Sequence, residues 1–286
     1  MEQIFSLIAG LDSVIDASDL LYQKYDGAPT ENSKALLEII DHDEELAVST
    51  GLPRPLFGAY ADAEFKLRLL NDLVRSFTSL ATKSEINFGE MVVARSTIEV
   101  AARMRWGLAI SDQYPERASR WLRERLRIIG EAKKLGSVPR AQVEEFGNEA
   151  VIIDAAVRAG LNVPGPPPGA IDLVGLLMSN TSDALRFQGL NREELVAIFY
   201  RKLSAVTHGS SLGIQSQLID PRNETSPRSS TSDPAELLTL IAGVLIAYVN
   251  AHGALTELYG WDASPIETIS ISTAVRINDA FISFTE

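Results

Sequence analysis

Apolar side chains recur every third or fourth position along most of this 286-residue chain, and strand-like alternation is nearly absent. Ile4, Leu7, Ile8, Leu11, Val14 and Ile15 trace one such stripe, which predicts an amphipathic helix near the start. A second helix is predicted from about Glu31 to Val48, with Leu36, Leu37, Ile40 and Leu46 inward. Gly51-Leu-Pro-Arg-Pro55 must end it, because proline cannot continue the hydrogen-bond ladder. Further helices are predicted over about 60–80, from Asn87 to about Ile110 with Glu90 completing a capping box, and after Pro115. Another carries Val151, Ile152, Ile153 and Val157 and stops at Gly160. The pattern predicts an all-α fold, a bundle of about nine to ten helices.

The proline- and glycine-rich stretch over 161–169 is the strongest break in the chain. The segment that follows is too short to build a core alone, so one domain over 1–286 is expected, with this loop as a possible subdivision. Asn191-Arg-Glu-Glu194 opens a helix ending at Gly209. The stretch over about 220–233 is polar, small and aperiodic, and reads as a mobile loop. Leu237 to Leu255 is apolar on nearly every face and must be surrounded by other helices or by a partner subunit, which raises the expectation of a homodimer. Asn250 and His252 within it, and the lack of flanking lysines or arginines, argue against a membrane span. A last helix is expected from about Pro265 to Phe284, against the helix-weakening run Ile269, Ile271, Thr273, Val275.

Composition narrows the chemistry. With no cysteine and three histidines, thiolate chemistry, disulfides and histidine-rich metal sites are excluded or disfavoured, and no cofactor or metal is implied. The N-terminus has no basic region of the secretory type, so a cytoplasmic protein is expected. A net charge of −12 disfavours non-specific attraction to nucleic acid, yet Arg95 to Arg140 holds eleven basic and five acidic residues. That belt is either an anion-facing surface or a solvated face paired with the acidic remainder.

Two helices carry candidate chemistry. Tyr200, Ser204 and His208 are spaced at four and share a face, with Arg201 close to it. A histidine in a last helical turn is also explained by favourable interaction with the helix dipole alone. Arg95, Glu99 and Arg103 form a second ladder at the same spacing. Exposed, it adds small ion pairs; buried beside His208, it would supply an acid and two guanidinium groups to a polar network or a site. His252 reads as a satisfied core histidine on a stripe with Tyr248 and Tyr259, and His42 as a solvated residue in an acidic run.

The Arg201-Lys-Leu-Ser-Ala-Val-Thr-His208 segment resembles the HEPN superfamily, and also uncharacterised bacterial helical families with a Tyr-x-x-Leu-Ser-x-x-x-His segment. The resemblance covers 191–209. It implies a HEPN-like core and a metal-independent RNase that dimerises so that two such helices meet. Arg201 would then stabilise phosphate charge and His208 would act as acid or base. Lys202 stands where the HEPN pattern has a polar residue. Three readings follow: a HEPN-like protein binding a phosphate-bearing ligand such as RNA, a small-molecule enzyme using His208 or Tyr200 with Glu99 or Arg103 orienting substrate, and a non-catalytic scaffold.

Overall fold

The computed structural model describes residues 2–82, 88–108, 113–135, 149–161, 167–179, 203 and 234–285. Among these the chain forms nine α-helices and no strand: α1 (Glu2–Tyr25), α2 (Lys34–Thr50), α3 (Pro55–Ala81), α4 (Phe88–Leu108), α5 (Tyr114–Leu135), α6 (Glu149–Arg158), α7 (Ala170–Ser179), α8 (Pro234–Tyr259) and α9 (Ser264–Thr285). The all-α architecture read from periodicity is therefore the observed one.

Local signals set the boundaries. Ser33 caps α2 by accepting from the Leu36 amide, and Gly51, at φ 68°, ends it in the left-handed conformation that glycine adopts cheaply. Pro55 stands at the start of α3, five residues earlier than the apolar pattern predicts. Arg54 offers that helix no side-chain cap, so Asp43 of α2 reaches across and accepts from the Leu56 amide at 2.7 Å. With Asp43 turned inward by this bond, the buried face of α2 differs from the predicted one. Leu37 and Ile40 are exposed, whereas Ala35, Asp43, Leu46 and Thr50 are buried, because the polar side chains that bind neighbouring helices turn inward. In α6, Ile152, Ala155 and Ala156 face inward and Val151, Ile153 and Val157 outward.

Two hydrophobic cores result. The larger joins α1, α3, α4, α7, α8 and α9; α4 lies at its centre, packed chiefly on α3 and α8, while α1 and α9 pair along its flank. The smaller holds Leu46, Leu56, Ala118, Leu122, Ile129, Ile152, Ala156 and Leu161, drawn from α2, the start of α3, α5, α6 and the residue beyond α6. The chain crosses between them near the 161–169 break: Leu161 belongs to the smaller core and Leu173, Val174 and Leu177 to the larger.

α8 is long and apolar enough to cross a membrane, but most of it is buried by the chain's own helices. This burial accounts for its apolar faces, so the helix supplies no argument for a second subunit. α9 forms despite its β-branched run because Ile266, Ser270, Thr273, Ala274, Ile277 and Ala280 make a continuous buried stripe.

Candidate anion-binding cleft

Tyr200, Arg201, Ser204 and His208 lie outside the described residues. From the segment over 191–209 only Leu203 is described, and it is buried in the larger core. The second ladder is described in full, and it divides. Arg95 donates from Nη2 to Glu99 Oε1 at 2.9 Å, whereas Arg103 turns away and meets Glu124 of α5 with Nη1 and Oε2 3.5 Å apart. Both arginines are largely covered, so this is not the exposed face of one helix.

Arg103 opens onto a cleft where the two cores meet. α3 contributes Asp62 and Lys66, α4 Arg103 and Trp106, and α5 Arg120, Trp121 and Glu124. α5 can approach α3 closely because residue 58 is glycine; a Cβ there would stand 2.6 Å from the Trp121 ring. Arg120 donates from Nη1 to the carbonyl of Trp106, in the last turn of α4, at 2.6 Å. The Arg120 and Arg123 guanidinium groups each lie 5.5 Å from the Trp106 ring centroid.

Every cation lining the cleft has a carboxylate neighbour. Lys66 pairs with Asp62, Arg120 donates from Nε to Glu116 Oε1 at 3.0 Å, and Arg103 faces Glu124. Glu124 is the hub, since it also accepts two bonds from Arg127, at 3.0 Å from Nε and 2.7 Å from Nη2. Burial pushes the Glu124 carboxyl pKa up. The hydrogen bond from Arg127 and the charges of Arg127, Arg103 and Lys66 outweigh burial and hold it below the ordinary carboxylate value. The free space between these groups is about 20 Å³, room for little more than one water.

The smaller core removes one arginine from the belt. Arg117 is 1% exposed and grips Glu38 of α2 through Nε, at 3.0 Å, and Nη2; Tyr60 donates its hydroxyl to the same carboxylate at 2.6 Å. Burial first, and then the bond to Glu38, raises the Tyr60 pKa above its ordinary value, so the phenol stays protonated. This network fixes α5 against α2 and α3, and with them the walls of the cleft.

The described histidines differ from their sequence reading. His42 is half-buried and stacks on Tyr114 with ring centroids 3.8 Å apart, rather than standing free in solvent. His252 is in the core as expected, 1% exposed and 5.8 Å from the Tyr248 ring, but its Nε2 has no hydrogen-bond partner among the described residues. Burial pushes its pKa down to about 4. On the same stripe Tyr248 donates to Asn71 Oδ1 at 2.8 Å and Tyr259 to the Tyr60 carbonyl at 3.2 Å. No group of three or more histidine, aspartate or glutamate side chains converges to hold a metal among the described residues.

The sequence pattern alone does not single out Asp62, Lys66 or Trp121 as site residues. Lys66 and Asp62 leave only a spacing of four on a long helix, a pattern shared with many surface pairs. No protein-family model matches this chain, and comparison with curated proteins and with solved structures gives no match.

Proposed function

We propose that this protein binds a phosphate-bearing polymer, RNA being the leading case, across the mouth of the cleft between α3, α4 and α5. The observation that supports this reading is the convergence of Lys66, Arg103 and Arg120, one cation from each of three helices, beside Trp106 and Trp121. Guanidinium groups offer phosphate oxygens a planar pair of donors, and tryptophan offers a stacking face for a base. The size of the free space selects between an enclosed metabolite and a strand. About 20 Å³ cannot enclose a metabolite, whereas a strand lying outside needs to present only phosphate oxygens. Because each cation already has a carboxylate neighbour, a phosphate must compete with it, and binding is modest and sensitive to salt.

In this reading Arg201 and His208 supply the cleavage chemistry that the HEPN resemblance implies, with no metal required. A second reading rests on the same pairing of charges: a balanced set of ion pairs is also what a static scaffold uses to join two cores. Titration of a labelled single-stranded RNA at several salt concentrations separates them. Three neutralised phosphates correspond to a slope of log K against log salt of about −2, and Arg103→Gln or Lys66→Gln should each flatten it by about 0.7. A slope near zero, or one unchanged in both variants, refutes binding at the cleft. The cleavage arm is tested apart from binding. His208→Gln and Arg201→Lys should stop RNA cleavage while leaving thermal stability nearly unchanged, and cleavage undiminished in both removes the catalytic role.

A further inference from the structure

A larger concavity lies on the other side of α4. It runs between Arg105 in the last turn of α4, the second half of α8 and the first turn of α9, and it is an open depression with about 490 Å³ of free space, a volume in the range of small-molecule sites. Its chemistry is the reverse of the cleft's. Arg105 is half-buried, and among the described residues its guanidinium makes no hydrogen bond or ion pair. Burial lowers its pKa, an effect that the charge of Glu257 opposes and that of Arg120 reinforces. A partly desolvated cation without a hydrogen-bonded partner is costly, and a bound anion would remove that cost.

The opposite wall is acidic. Asp262 is already committed, since one of its oxygens accepts from the Ser264 amide at 3.2 Å and the Ser264 hydroxyl at 2.6 Å, capping α9. Glu257 and Glu267 are exposed and carry no such side-chain bond among the described residues. Gly253 gives the crevice its depth: a Cβ built there meets nothing within 4 Å. A glycine in the middle of a helix is unfavourable, and here the missing side chain leaves open space.

We infer that this crevice binds a small amino-carboxylate, with the ligand's carboxylate on Arg105 and its ammonium on Glu257 and Glu267. A simple anion would meet the carboxylates, and a simple amine would leave Arg105 unpaired and add a second cation beside it. A molecule carrying both charges, separated by a few carbons, satisfies both walls.

The test is calorimetric titration of the full chain with β-alanine, γ-aminobutyrate, δ-aminovalerate and ε-aminocaproate, with butyrate and n-butylamine as single-charge controls. One chain length should bind at least about tenfold more tightly than either control. Arg105→Gln and Glu257→Gln should each reduce that affinity by about tenfold or more, and Lys66→Gln in the other cleft should leave it unchanged. Gly253→Leu projects a side chain into the crevice and replaces glycine with a better helix former, so it should reduce binding without lowering the melting temperature. The inference is overturned if no member of the series exceeds the controls. It is equally overturned if affinity survives in Arg105→Gln, Glu257→Gln or Gly253→Leu. None of these outcomes depends on RNA binding, so failure here and failure at the cleft are distinguishable.

Discussion

Replacing His252 with leucine should make the protein more resistant to acid. The imidazole is enclosed by α8 and its neighbours, and Tyr248, its stacking partner, is itself held neutral because burial raises its pKa. In the folded chain the histidine pKa is about 4, against about 6.5 in an unfolded one. Because the folded value is the lower, the unfolded chain takes up the proton first. The associated stability is therefore complete above about pH 6.5 and is lost progressively as the pH falls toward about 4. At about 1.4 kcal/mol per pH unit, the gap corresponds to roughly 3 kcal/mol.

Leucine has nearly the volume of histidine, does not titrate, and removes a nitrogen that has no hydrogen-bond partner among the described residues. At neutral pH the exchange should change stability by less than about 1.5 kcal/mol. The assay is urea unfolding followed by far-UV circular dichroism from about pH 7 to about pH 4 on both proteins. Carboxylates titrate in both, and subtracting one curve from the other removes their contribution. The difference should grow in favour of His252→Leu by roughly 3 kcal/mol across that range. A difference that stays flat within about 0.5 kcal/mol would mean that the core accommodates the imidazolium, and would refute the desolvation argument.

Two further stability predictions test the frame around the sites. Arg117→Met should destabilise by about 3–5 kcal/mol, because it leaves the Glu38 carboxylate charged and largely covered, and Arg117→Met with Glu38→Leu should recover much of the loss; equal losses in the single and double variants would disprove this account. Tyr248→Phe should cost about 1–3 kcal/mol by removing the donor to Asn71 Oδ1, measurable as a lower urea midpoint, and no shift would indicate that another donor replaces it.

What could be read in advance followed from local rules. The α1 stripe, the stops at Gly51 and Gly160 and the enclosure of α8 depend on spacing, backbone conformation or overall apolarity within a short window. The sequence pattern does not reveal α7, because ten residues give fewer than three helical turns and its mixture of apolar and small side chains has no clear periodicity. Apolar periodicity misplaces the inward face of α2 because its buried polar residues answer to distant partners: Asp43 to the α3 amide, Glu38 to Arg117 and Tyr60. Arg103 failed in the same way. At a spacing of four, Glu99 is its natural partner, but the packing of α5 on α4 brings up Glu124 from 21 positions away.

The two concavities owe their separation to α4 itself. Successive residues of a helix are about 100° apart, so Arg103 and Arg105 point to flanks about 200° apart while Trp106 returns to within about 60° of Arg103. The first flank meets α3 and α5, and the second meets α8 and the start of α9. Net charge along the sequence does not distinguish them. The excess of basic residues over the belt is real as a count, but Arg117 is spent inside the smaller core, and Glu116, Glu124 and Glu131 engage Arg120, Arg103 and Arg127. The cleft with more cations is thus the more nearly neutralised, and it has room for little more than a water. The crevice has a single cation, but that cation is unbonded among the described residues and faces open space. Binding depends on charge left uncompensated and on volume left empty, so the crevice should hold the tighter small-molecule ligand and the cleft the more salt-sensitive one.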